Sequence, residues 1–175
     1  MRSPRCRRRC LLCSGWAEMD AVDAPLASFE AKWAAVRPEF ALALKFAPPA
    51  MRRLQSAFGC LVFELEYAVF SIRDVEPATI KLQWWAEEFA RAAAHETRHP
   101  LSQALATSAA FAGITPARWH AVVIGAFAQR DPLSAADAAA LLAHHAQLYA
   151  PLAAIEMQLL GVDAATATAA MCVAR

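Results

Sequence analysis

The chain is 175 residues long, 58% hydrophobic and 19% charged, with a formal net charge of +1. That is enough for one domain with a sizeable core, and it is more apolar than the usual soluble composition. Charged or strongly polar residues interrupt every apolar run before it could span a bilayer. The body has no basic stripe, which argues against nucleic acid as a partner.

The first eighteen residues stand apart. Arg2, Arg5, Arg7, Arg8 and Arg9 against Glu18 give them +4, leaving about −3 for everything from Met19 onward. Cys6, Cys10 and Cys13 have the C-x3-C-x2-C spacing that radical enzymes use for an iron–sulfur cluster. Those enzymes place a β/α barrel behind the motif, and nothing in this sequence reads as strand. Residues 1–18 are therefore read as a disordered or non-native leader, and 19–175 as the domain. Cys60 and Cys172 do not pair by pattern, which fits a reduced, cytoplasmic setting.

With five glycines and long Ala/Leu-rich runs, helix is expected nearly everywhere. Ser28 with Phe29, Trp33 and Val36 opens a short helix, and Pro38 ends or kinks it. After Pro48-Pro49 comes the longest pattern, from Pro49 to Arg73. Its seam is Leu54, Phe58, Leu61, Leu65, Ala68 and Ile72, and Val62, Phe63, Val69 and Phe70 make its other faces apolar too. Such a helix belongs in the middle of a bundle. Asp74 and Pro77 punctuate the next, running to about His95, with Trp84 and Trp85 widening its buried face and Glu87 and Arg91 at pairing distance.

Pro100 opens a shorter helix that Gly113 ends, and Thr115-Pro116 starts another with Trp119, Val122 and Phe127 on its core side. Asp131-Pro132 breaks it. Ser134 caps a long helix from Ala135 to Leu160, stopped by Gly161, with Leu141, Leu148, Leu152, Ile155 and Leu159 on the buried side and a kink at Pro151. Residues 163–175 begin one more. The architecture expected is an all-α bundle of about six or seven helices.

An ordered set of short runs resembles the squalene/phytoene synthase family: Phe63-Glu64-Leu65-Glu66, Glu76-Pro77, Leu82-Gln83-Trp84-Trp85-Ala86-Glu87-Glu88, His99-Pro100 with Gln103-Ala104-Leu105, and Tyr149-Ala150 with Leu159-Leu160-Gly161. The resemblance implies an isoprenoid-synthase fold and the head-to-head condensation of two prenyl diphosphates, with Mg²⁺ held between two aspartate-rich helical motifs. Carboxylates one helical turn apart share a side and can share a cation. This sequence departs from that pattern. Glu66 stands where the first motif has its first acid, and Phe70 stands at the second. The other motif normally follows the tyrosine-led helix, and the sequence reaches Arg175 before it. The resemblance thus implies an apparently incomplete, N-terminal half of a family member with a degraded first metal site.

Glu66, Phe70, Arg73 and Tyr149 are the candidate substrate-cavity residues, and Glu66 is the candidate metal ligand. Glu66 sits among apolar neighbours, so a buried ion pair or a neutral acid is favoured over a metal ligand. Arg73, Lys45 or another chain could supply the cation. Glu64, two positions earlier, does not share a helical face with Glu66 and does not complete a chelate with it. No catalytic residue is assigned. Two functions stay open: a prenyl diphosphate transferase, and a non-catalytic binding or assembly module whose exposed apolar faces take a partner protein or a membrane surface. The expected location is cytoplasmic, peripheral to a membrane at most.

His95-Glu96-Thr97-Arg98-His99 matches the H-E-x-x-H string of zinc proteases. That chemistry needs both histidines on one helical face. Pro100 pushes His99 out of helical dihedrals, and His120, His144 and His145 offer no recognisable third ligand.

Overall fold

Leu12–Val36 forms the first helix, α1, in a computed structural model that describes residues 12–132 and 135–161. It begins inside the stretch set aside as a leader and carries Pro25 internally, so Ser28 lies within a helix rather than at its start. Cys6 and Cys10, like residues 163–175, lie outside the described residues. The chain breaks at Arg37 and resumes as α2, Pro38–Leu44, with proline in the first helical position.

Pro49 opens α3, Pro49–Glu66, as the diproline leads one to expect. From Ser56 to Glu66 every residue of α3 is buried, so it packs on all sides, against α1 and the later helices Pro100–Ala106 and Ala138–Leu160. The helix does not continue to Arg73. After Glu66 it widens into a π turn, Tyr67–Ser71, closed by Ile72 N–H on the Tyr67 carbonyl at 3.2 Å. A wider turn rotates whatever follows it about the axis, and Phe70 ends half outside, 51% exposed. The carbonyls freed there are taken by Arg130, whose guanidinium donates to Val69 at 2.9 Å and Ile72 at 2.6 Å.

Helix α4, Val75–Ala93, starts two residues ahead of Pro77, from Asp74 in extended backbone. Trp85 is buried on its core face, but Trp84 is 41% exposed, so one tryptophan rather than two belongs to the core. Helix α5, Pro100–Ala106, is followed by a separate 3₁₀ turn, Ala109–Gly113, and then α6, Pro116–Ala128. Trp85, Phe89, Trp119 and Phe111 form a continuous aromatic ladder that joins α4 to α6 and the 3₁₀ turn.

The last helix, α7, is Ala138–Leu160. Its cap is Asp137, whose carboxylate accepts from Ala140 N–H at 2.8 Å, so it begins three residues later than Ser134 suggests. Gly161 ends it in the left-handed conformation. Leu141 faces outward, while Leu148, Leu152, Ile155 and Leu159 are buried as their spacing requires. Seven α-helices and no strand appear among the described residues, an all-α bundle around α3.

Candidate functional site: the acids of the central helix

Two carboxylates near the end of α3 are buried, and each already has at least one cation. Glu66 accepts from the Arg37 guanidinium at 2.8 Å and from the Tyr149 hydroxyl at 3.2 Å. Glu64 accepts from Lys32 at 2.5 Å and Lys81 at 2.7 Å. Burial alone would raise the Glu64 carboxyl, but the two ammonium groups overcome it and hold Glu64 below the ordinary glutamate range. Lys81 also sits 4.8 Å from the centre of the Tyr67 ring, with Lys32 at 5.4 Å, a cation–π bracket around that aromatic.

The structure thus brings together two of the four cavity candidates, Glu66 and Tyr149. Phe70 is half exposed, with its ring 6.5 Å from that of His145, which in turn lies 6.4 Å from the Tyr149 ring, and Arg73 is exposed. The cation for Glu66 is Arg37 from the α1–α2 break, not Arg73 or Lys45. Sequence reasoning missed Lys32, Arg37 and Lys81, because their partners are 32, 29 and 17 positions away and only the packing of α1 and α4 on α3 creates the pairs.

These residues do not fit Mg²⁺. A magnesium site wants anionic oxygens in octahedral array, with room for waters. Here Glu66 has one oxygen on a guanidinium and one on a phenol, Glu64 is held by two lysines, and Phe70 offers no oxygen. No cluster of three or more His, Cys, Asp or Glu able to hold a metal occurs among the described residues.

The zinc string resolves into a helix end. His95 has φ of 61°, the left-handed region, with its N–H on Ala92 O at 3.1 Å and Glu96 N–H on Arg91 O at 2.8 Å. That is a Schellman turn with histidine in the glycine position. Left-handed backbone costs an L-residue roughly 1–2 kcal/mol, so His95→Gly is expected to stabilise the protein by about 1 kcal/mol, read as a rise in the urea midpoint. An unchanged or lower midpoint would contradict this reading of the turn.

Beyond the turn, Glu88 gathers the connection. Its fully buried carboxylate accepts from the backbone N–H groups of Arg98 and His99, both at 2.9 Å, and from Arg91 Nε at 3.0 Å. Burial pushes this carboxyl up, yet those backbone donors and the Arg91 guanidinium hold it low. His99 caps α5 by accepting Leu101 N–H on Nδ1 at 3.2 Å, amid the rings of Phe29, Trp84 and Trp85. Burial favours the neutral imidazole and lowers its pKa, against the pull of Glu88 and Glu64. The cap requires the same neutral form.

All three shifts act in one direction. Stability from His99 is present above its ordinary value of 6.5 and is lost as pH falls below it, while that from Glu64 and Glu88 is present above 4.5 and is lost as pH falls further. The expected result is a urea midpoint that declines below pH 6.5 and declines again below 4.5. His99→Asn, which keeps a capping acceptor, should remove the first decline and leave the second.

A family model described as squalene/phytoene synthase matches residues 34–174. The chain belongs to the squalene/phytoene synthase family. No curated protein and no solved structure matches it. The match spans α2 through α7, including Arg37, Glu64, Glu66, Lys81 and Tyr149, and membership supports an isoprenoid-biosynthesis role of the squalene/phytoene synthase type. No helix among the described residues is long and apolar enough to cross a membrane.

Proposed function

We propose that this squalene/phytoene synthase family member is a non-catalytic binding or assembly module, using the isoprenoid-synthase bundle as a scaffold rather than running metal-assisted condensation. One observation carries the reading: Glu66, which aligns with the family's first metal acid, is spent on Arg37 and Tyr149. The acid is buried while Arg37 reaches it from the surface, and an Arg–carboxylate bond is charge-assisted. A metal ion would have to displace the guanidinium and still find further oxygens. The exposed apolar side chains near that end support a partner there. Phe70 meets His145, one turn beyond the exposed Leu141 and Leu142, and Tyr67 lies one turn before Phe70. The partner is an apolar ligand of prenyl type or another protein surface.

The test is diphosphate release from farnesyl and geranylgeranyl diphosphate, with and without Mg²⁺. No Mg²⁺-dependent release is expected. Release that requires Mg²⁺ and is abolished by Glu66→Gln would restore the transferase reading, with its prenyl diphosphate substrate and metal.

A further inference from the structure

Helix α7 runs on past the bundle at its N-terminal end. Every residue from Ala138 to Ala143 is exposed, and burial is partial at His144 and His145 and full only at Leu148. The six exposed residues read Ala-Ala-Ala-Leu-Leu-Ala, and no acid, lysine or arginine occurs between Asp137 and Glu156. A helix that is apolar on every side belongs where something encloses it. Leu141 is 43% exposed and Leu142 50%, and the half-exposed Phe70 of the π turn continues the patch across the His145 ring.

The polar groups at the two ends of this stretch say what fits it. Asp137, Leu141 and His144 stand at i, i+4 and i+7, on one helical face. One Asp137 oxygen caps the helix on Ala140 N–H at 2.8 Å, and the other has no partner among the described residues. The His144 ring lies 5.8 Å from that of His145, and its nitrogens have no hydrogen-bond partner among the described residues. The face thus carries an anionic acceptor at one end, an imidazole donor at the other, and uncharged alanine and leucine between. Laid antiparallel on itself, with its centre between Ala140 and Leu141, it sets each Asp137 opposite His144 of the partner subunit. The alanines allow close approach of the axes, and antiparallel helix dipoles attract. The same face is therefore complementary to its own copy in charge as well as in apolar character.

We propose that a second copy of this chain covers the projecting end of α7, in a two-fold pair whose centre is Leu141 and whose ends are the Asp137–His144 contacts. Such isologous pairs are the commonest closed assembly. The open apolar patch is on the order of 500 Å², a size at which a patch marks an interaction site. Paired with itself it buries about 1,000 Å², the least that a specific interface needs. The dimer is accordingly reversible and depends on concentration. It names the protein surface that the non-catalytic reading calls for at this end, and rests on that reading. Molecular mass and diphosphate release are separate measurements, so the two can fail separately.

The experiment is sedimentation velocity of the full chain over a rising concentration series, up to its solubility limit. A monomer–dimer equilibrium is expected. Leu141→Glu should leave only monomer, and His144→Asp, which sets acid against acid, should raise the dimer Kd about tenfold or more. His144→Lys keeps a donor opposite Asp137 and should leave the dimer in place. Ile80→Glu, on an exposed apolar residue of α4, should also leave it in place. Circular dichroism and the urea midpoint verify that each variant is folded. A monomer at every concentration, His144→Asp and His144→Lys acting alike, or Ile80→Glu dissociating the dimer as Leu141→Glu does would overturn the proposal. A monomer that releases no diphosphate would refute the pairing alone, and a dimer with Mg²⁺-dependent release would uphold the pairing and refute the non-catalytic reading.

Discussion

Glu88→Ala is expected to cost about 3–5 kcal/mol, the range found when one partner of a buried, charge-assisted network is removed. Alanine there leaves the N–H groups of Arg98 and His99 and the Arg91 Nε without their acceptor, in a site where Glu88 itself is fully buried. Because these three donors hold the α4–α5 connection, the loss should include the placement of His99 among Trp84, Trp85 and Phe29. Urea denaturation with tryptophan fluorescence reads both effects, since Trp85 reports on that aromatic cluster. Glu88→Gln should cost less, because the amide oxygen still accepts while the charge is gone. A change under 1 kcal/mol for the alanine variant would mean that Glu88 does not organise the connection.

Gly125→Val is the second large effect. A Cβ at this position falls on the backbone of Gln147 and Leu148, and backbone cannot yield as a flexible side-chain end does. Helices α6 and α7 touch there through the absence of a side chain. Two further bonds fasten the same crossing: Gln129 Nε2 to the His144 carbonyl at 2.7 Å, and the Gln129 carboxamide oxygen with His145 Nδ1 at 2.8 Å. Separating the helices strains all of these, so the expected cost is about 3 kcal/mol or more, the upper end of overpacking. The urea midpoint should fall with the slope of the transition unchanged. Gly113→Ala is the instructive contrast, since the nearest atom there is the Nε2 of Gln158, the end of a flexible side chain, and the loss should be small.

Features that depend on neighbours in the chain could be read from the sequence. The diproline start of α3, the Gly161 stop of α7 and the apolar encirclement of α3 follow from residue preferences within a few positions. So does the failure of the His95–His99 string, because Pro100 acts on the residue before it. The π turn was not legible: Tyr67 to Ser71 looks like more helix, and only the packing of α4 and the reach of Arg130 across 58 to 62 positions accommodate the wider turn. Trp84 and Trp85 show the same limit. Adjacent apolar residues on a helix point about a hundred degrees apart, so one faces the core and the other the edge.

The candidate site divides in the same way. Glu66 and Tyr149 stood out by residue type and by family resemblance, and they do meet. What decides the chemistry is the cations, and these come from a helix break at Arg37 and from α1 and α4 at Lys32 and Lys81. An arginine that follows Val36 and precedes Pro38 shows nothing in sequence of its partner on α3. The preference of a buried carboxylate for a cation was foreseeable. The identity of that cation is a property of the fold.

On the proposed reading the α3 acids, neutralised by Arg37, Lys32 and Lys81, take up no divalent metal. Mn²⁺, which suits the same oxygen ligands as Mg²⁺, tests it most directly. The ion is titrated into the full chain, with and without a thiolo analogue of farnesyl diphosphate, while free Mn²⁺ is followed by electron paramagnetic resonance. The account predicts the same weak uptake for the wild-type chain and for Glu66→Gln under both conditions. A one-to-one Mn²⁺ site that disappears in Glu66→Gln would contradict it.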